Sequence, residues 1–214
     1  MKMKKIIFFI FILVIHSSCS NEDEFWFLDE DNDYSRVKTI FKNYIDFFPK
    51  YNQATKEIVT WSLDKETEFN LKVIFSFSQK EFKKLLKTVK KKSIANYSPT
   101  DKCLLVLNRF DTHENYGSPS SSEIKNELID LPCYNHLYPI PNFSVFSDYY
   151  SDKTTCKLKK DFSIYVLDAK HGIFLNNNEI TEGKYMPANW KNGLAKGIAI
   201  NKKKRTAVYW IIIW

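Results

Sequence analysis

The sequence has few of the residues that mark catalytic sites, with only four histidines and four cysteines among 214 residues. It has no CxxC pair, which argues against a zinc knuckle or a thioredoxin-like centre. It also lacks an HExxH motif, a glycine-rich phosphate loop and a GxSxG nucleophile turn. Its apolar run Ile6–Ile15 is too short for a lasting membrane span, which needs roughly 20 apolar residues.

The first nineteen residues have the three parts of a secretory leader. A basic start, MKMKK, precedes the apolar run Ile6–Ile15, and Ser17 and Ser18 then precede Cys19. This end resembles the lipobox of bacterial lipoproteins, in which cleavage leaves a cysteine that becomes lipidated. His16 stands where that family usually has a leucine-like residue.

The resemblance covers residues 1–24 or so, and it has consequences for location. It implies a signal peptide at 1–18, a lipid such as palmitate on Cys19, and a protein exported to the bacterial cell envelope. No family resemblance is found for the mature domain.

An acidic segment follows the leader, because residues 20–34 carry seven acids and neither Lys nor Arg. Such a segment stays solvated, so we predict a tether at 19–34 and a single globular domain at 35–214. Acids placed after a lipidated cysteine also resemble the surface-export signals of some Gram-negative lipoproteins, which makes the outer-membrane surface one candidate location. A plain charged linker is the alternative.

The domain itself is basic, with 29 Lys and Arg residues against 18 acids in 35–214. An exported domain of this charge meets anionic lipid headgroups or acidic polymers rather than nucleic acid. We therefore predict a membrane contact through the lipid on Cys19, a protein partner or anionic envelope polymer as the binding target, and no nucleic-acid partner.

The hydrophobic pattern predicts an α+β fold, a mainly antiparallel sheet with two or three helices packed on it and a C-terminal β-hairpin. Strands are predicted at Glu57–Leu63, Leu71–Phe77, Cys103–Leu107 and Phe162–Leu167, with hairpin arms at Gly197–Ile200 and Thr206–Ile213. Helices are predicted at Ser35–Phe48, after the capping box Ser78–Glu81, and at Glu123–Ile129.

The helix after Ser78 combines an apolar stripe with many lysines. Such a helix either packs its stripe into the core beneath a solvated basic face or lies on anionic lipid. Four apolar residues suffice for core packing, which favours the first interpretation.

Histidines and acids supply the one catalytic hypothesis. His113 and Glu114 share a polar loop with Asp111, while His136 and His171 lie in other loops. Convergence of these groups would allow zinc binding or acid–base chemistry. Their spacing matches no known ligand motif, so we predict no cofactor, no metal and no assigned catalytic residue.

Two further groups are candidate sites. An oxidising compartment favours one disulfide, and we predict Cys133–Cys156 because Cys103 falls in the apolar run CLLVL. A loop holding Tyr185, Trp190 and Lys191 offers an aromatic face and donors to a sugar ring, although such a Trp also commonly fills a core edge.

Three functions follow. The first is a non-catalytic envelope lipoprotein that binds a protein, an envelope polymer or an incoming toxin, an immunity-type role. The second is a glycan- or anionic-lipid-binding module that uses Trp190 and the basic face. The third is a small envelope hydrolase or metal enzyme built on His113, His136 and His171.

Overall fold

A computed structural model describes residues 41–49, 53–64, 68–107, 109, 137–144, 149–151, 153–175, 182–183 and 186–214. Its centre is a six-stranded sheet in which every pairing is antiparallel. In chain order the elements are β1 (Thr55–Asp64), β2 (Glu68–Ser76), α1 (Gln79–Lys92), β3 (Ala95–Tyr97), β4 (Phe162–His171), β5 (Gly193–Asn201) and β6 (Thr206–Ile213). The spatial order is β1-β2-β6-β5-β4-β3.

Strand β6 lies inside the sheet, between β2 and β5. All eight of its residues are buried, as its run of apolar side chains on both faces predicts for a strand covered on two sides. The predicted hairpin is confirmed, with residues 202–205 forming the turn between β5 and β6. The structure thus confirms the mainly antiparallel sheet.

The two faces of the sheet carry separate hydrophobic clusters. Alternate residues of one strand go to opposite faces, so Leu71, Val73 and Phe75 join one cluster while Ile74 joins the other. The first face is covered by α1 and by residues 41–48. The second is covered by irregular segments around 104–107, 140–143 and 156–158. Because both faces of the sheet are covered, neither of the two alternating sets of side chains predicted for Leu71–Phe77 forms a solvent-exposed face.

Helix α1 begins where its capping box predicts. The Ser78 hydroxyl accepts a hydrogen bond from the Glu81 backbone N–H at 3.3 Å, whereas the Glu81 carboxylate binds Lys84 at 2.9 Å. Phe82 and Val89 are buried in the first cluster, and Leu85 and Leu86 pack against it. The apolar stripe is therefore engaged in the core, as the favoured interpretation of this helix predicts.

Two predicted elements need correction. Residues 42–48 form turns rather than a helix, with the Tyr44 N–H bonded to the Phe41 carbonyl at 2.8 Å. Phe41 itself is helical, and Phe41, Ile45 and Phe48 are all buried in the first cluster. Residues 104–107 are buried, but among the described residues they make only an isolated parallel bridge, Val106 to Ile140, and no sheet strand.

The helix count is settled only in part. Among the described ranges, α1 is the one α-helix that the structure delimits at both ends. The predicted start of the first helix at Ser35, and the predicted helix Glu123–Ile129, lie outside the described residues.

Candidate anion-binding surface

The turn between β5 and β6 is a run of four cations, Lys202, Lys203, Lys204 and Arg205, all exposed. Arg205 has φ 54°, a left-handed conformation that lets the chain reverse into β6. The Lys204 backbone N–H donates to Asn201 Oδ1 at 3.0 Å. Asn201 in turn donates from Nδ2 to Asp161 Oδ2 at 2.8 Å. The turn is therefore held by buried Asn201 while its charged side chains face solvent.

The segment that leads into β4 adds cations beside this turn. Lys157, Lys159 and Lys160 precede Phe162, which pairs with Asn201 at the same end of the sheet. The Lys204 ammonium lies 4.9 Å from the centre of the Tyr149 ring. The Lys159 backbone N–H donates to the Tyr149 carbonyl at 2.8 Å. Tyr149 thus links the two basic segments.

Helix α1 extends the positive charge onto the first face. The Phe77 N–H donates to the Arg205 carbonyl at 3.0 Å, so the helix begins next to the basic turn. Seven lysines are exposed on its solvent side: Lys80, Lys83, Lys84, Lys87, Lys90, Lys91 and Lys92. We call α1, residues 157–161 and residues 202–205 together the basic surface.

The charge of the basic surface is strongly one-sided. Its three segments contain fourteen cations against two acids, Glu81 and Asp161. Within this surface, Lys84 pairs with Glu81, and Lys159 also takes part in an interaction; the ion pairs of Lys170, Lys191 and Lys196 lie elsewhere. Like charges in excess of their counter-charges create a positive potential that concentrates anions. The arrangement can bind an extended anionic partner.

The sugar-binding hypothesis for the loop at Trp190 is not supported by burial. Trp190 closes a short 3₁₀ turn, Ala188–Trp190, and only 6% of its surface is exposed. Its ring lies 6.1 Å from the Trp214 ring and 6.5 Å from the Tyr138 ring, and its carbonyl accepts from Trp214 Nε1 at 2.9 Å. A ring buried to this degree has little free face for a sugar, and its position matches the alternative role given above, in which the Trp fills a core edge.

Of the other two residues of that candidate site, the structure describes Lys191 but not Tyr185. Lys191 is exposed and lies 3.4 Å from the Glu182 carboxylate, an ordinary surface ion pair of small energy. Tyr185 lies outside the described residues. The loop therefore offers one exposed cation and no exposed aromatic face among the residues described.

Of the three histidines in the catalytic hypothesis, the structure describes one, His171. His171 is exposed at the end of β4, with its ring 6.1 Å from the Trp190 ring in an edge-to-face arrangement. His113, Glu114 and His136 lie outside the described residues. In the described ranges no three His, Cys, Asp or Glu side chains come together as metal ligands. The catalytic and metal hypotheses stay predictions.

The predicted disulfide Cys133–Cys156 needs correction, because Cys156 is a free, buried thiol. Cys103 is disulfide-bonded instead, to a partner outside the described residues. Burial raises the pKa of the Cys156 thiol to about 11. The apolar run after Cys103 suggested that this residue was buried, but it is only partly so. Cys19 and Cys133 lie outside the described residues.

Sequence reasoning missed one buried polar pair. Lys72 is 2% exposed, and its ammonium donates to Asn70 Oδ1 at 2.8 Å. On the same face, Trp210 is the cross-strand neighbour of Lys72, and its indole Nε1 is buried with no hydrogen-bond partner among the described residues. The sequence did contain a signal, because Lys72 shares a face with Ile74 in a strand that lies inside the sheet. A lysine ammonium buried in that position needs a hydrogen-bond partner.

Comparison with protein-family models, with curated proteins and with solved structures finds no match to this chain. Among the helices within the described residues, none is long and apolar enough to cross a membrane. The case for function therefore rests on the residues themselves.

Proposed function

We propose that this protein is a non-catalytic binding module of the bacterial cell envelope, exported, lipid-anchored through Cys19, and directed at an anionic partner. One observation carries the binding part of this proposal: the basic surface, with fourteen cations against two acids on adjoining segments. The lipobox-like leader and the acidic residues 20–34 support the anchoring part. We also propose that two or three helices pack on the sheet, as predicted from the sequence.

The choice of a binding role follows from how the charged groups are placed. The cations of the turn 202–205 project from a rigid hairpin whose arms are buried. A rigid scaffold that presents exposed charges suits recognition, because little ordering is needed on contact. The immunity-type role belongs to this proposal if the anionic partner is an incoming protein.

Retention of the mature protein on a sulfated polysaccharide matrix tests the binding role. Lys202→Gln with Lys203→Gln removes two charges from the turn and leaves Lys204 on the Tyr149 ring. The matched control removes two charges elsewhere, with Lys170→Gln and Lys191→Gln in exposed surface pairs. We expect the turn variant to elute at clearly lower salt than the control.

Equal elution of the two double variants would show that the matrix senses net charge alone, which contradicts a defined binding surface. The anchor is tested separately by labelled palmitate. Incorporation into the parent that disappears in Cys19→Ser supports it, and incorporation that survives the substitution overturns it.

A further inference from the structure

An exposed isoleucine stands at the end of the lysine-rich helix. Ile94 is 47% exposed and follows the last helical turn, Lys90–Lys92. Its backbone N–H donates to the Val166 carbonyl at 2.9 Å, which fixes the residue beside the edge of the sheet. The basic surface therefore has a fixed apolar side chain at its margin.

Helix α1 cannot insert its own apolar stripe into lipid. Phe82 and Val89 are buried in the core, so an interfacial helix of the usual kind, with its stripe in the acyl region, is excluded. The groups that remain for a bilayer are the exposed lysines and Ile94. This combination suits a shallow contact, with lysines at the headgroups and one apolar side chain below them.

The composition of the basic surface favours a membrane over a protein partner. Thirteen of its fourteen cations are lysines, and Arg205 is the exception. Protein interfaces are enriched in arginine and depleted in lysine. A diffuse anionic surface is attracted by lysines as point charges, without the paired geometry that arginine provides.

We propose that the lysine face of α1 and Ile94 form a peripheral contact with an anionic lipid bilayer, in which Ile94 enters the headgroup region. This inference rests on the proposed function and names its partner. The contact would hold the domain close to the bilayer surface and turn its far end outward.

The test places a nitroxide label at Ile94→Cys in the mature chain and measures collisions with a water-soluble nickel chelate. Selective labelling at neutral pH is helped by Cys156, which is buried with its pKa raised to about 11. Unsubstituted protein taken through the same labelling supplies the background. Ile173→Cys is the matched control site, because Ile173 is also exposed, at 59%, and follows the opposite end of β4.

Vesicles of phosphatidylcholine alone are compared with vesicles containing equal parts phosphatidylglycerol and phosphatidylcholine. We expect collisions at position 94 to fall on the anionic vesicles alone, and collisions at position 173 to stay unchanged. Lys87→Gln with Lys91→Gln should weaken the contact by about 25-fold, at about fivefold per lysine. Lys170→Gln with Lys191→Gln should leave it unchanged.

The outcomes separate this inference from the proposed function. Flotation of the protein with neutral vesicles shows that it is anchored. If the label at position 94 of such protein stays exposed to the nickel chelate on anionic vesicles, the proposed bilayer contact is wrong and the anchor stands. Protein that fails to float contradicts the anchor, whatever the label reports. Protection at position 94 by added polyglutamate, without protection by anionic vesicles, would identify an acidic polypeptide as the partner and overturn the lipid contact.

Discussion

The two ends of the sheet differ in what their side chains do. At one end the turn 202–205 presents exposed cations on a hairpin held by Asn201. At the other, which we call the aromatic end, Trp190 and Trp214 pack together with centroids 6.1 Å apart, and backbone bonds join Gly193 to Trp214. One end carries charge that the fold does not need, and the other carries contacts that the fold requires. Loop position alone therefore does not indicate a binding role.

The largest stability effect is expected at the aromatic end. Trp214 is fully buried, and its indole Nε1 donates to the Trp190 carbonyl at 2.9 Å. Trp214→Ala should lower the free energy of unfolding by about 3 to 5 kcal/mol, through lost burial and the cavity left behind. Denaturant unfolding measures this, and Trp214→Phe should recover part of the loss. A cost below that of an ordinary surface change would contradict a structural role for this end.

A smaller loss is expected when a methyl group is added beneath the same ring. A Cβ at Gly193 would stand 2.7 Å from Trp214 Cζ2 and 3.0 Å from the Lys170 carbonyl. Gly193→Ala should cost about 1 to 3 kcal/mol, because neither the buried ring nor the strand backbone can move freely. The thermal midpoint of the variant against the parent checks this. An unchanged midpoint would mean that the ring repacks easily.

Cys156, which lies away from the aromatic end, should make the free energy of unfolding depend on pH. The expected effect is similar in size to that of Gly193→Ala. Its pKa is raised by burial from 9.0 to about 11 in the folded protein, so the unfolded chain releases this proton first. Stability from the neutral thiol is full below pH 9 and is lost as the pH rises towards 11. The loss at pH 10 should be on the order of 1 kcal/mol. Unfolding of the parent and Cys156→Ala, compared from pH 8 to pH 10, isolates this contribution, and equal slopes would refute it.

A substitution in the residue that holds the basic turn should cost less stability than the substitutions at the aromatic end. Asn201 is buried, accepts from the Lys204 N–H at 3.0 Å and donates to Asp161 at 2.8 Å. Asn201→Ala should cost about 1 kcal/mol of stability and should also lower the salt at which the protein leaves an anionic matrix. Loss of stability with unchanged retention would show that the turn geometry does not matter for binding.

The smallest stability effect is expected for the charges themselves. Lys202→Gln with Lys203→Gln should change the free energy of unfolding by no more than about 0.5 kcal/mol, since both side chains are exposed. Retention on the anionic matrix should nevertheless fall. A stability loss as large as that of Asn201→Ala would place these lysines in the fold and remove the contrast between the two ends.

Local patterns were enough to predict the hairpin, β2 and α1. In each case the period of apolar residues, the cap at Ser78 or the basic turn at 202–205 lies within one short stretch. The basic surface was predictable as charge, although its continuity depends on the bond between Phe77 and Arg205. That bond joins residues far apart in the sequence, so no local pattern shows it.

The failures have the same physical cause. Trp190 is buried against Trp214, 24 residues away, and the Trp214 ring in turn packs close to Gly183 and Gly193. The disulfide prediction failed because sulfur pairing depends on distances between segments that spacing does not reveal. Residues 42–48 follow an apolar stripe and still form turns, and nothing in their spacing signals this.

Amide hydrogen exchange of the mature protein, with and without vesicles containing phosphatidylglycerol, tests the central claim most directly. We expect slower exchange in α1 and in the turn 202–205 when anionic vesicles are present. We expect no change in residues 170–175 and 188–193 at the aromatic end. Slower exchange confined to the aromatic end would contradict the assignment of binding to the basic surface, and no change in either region would contradict the lipid contact.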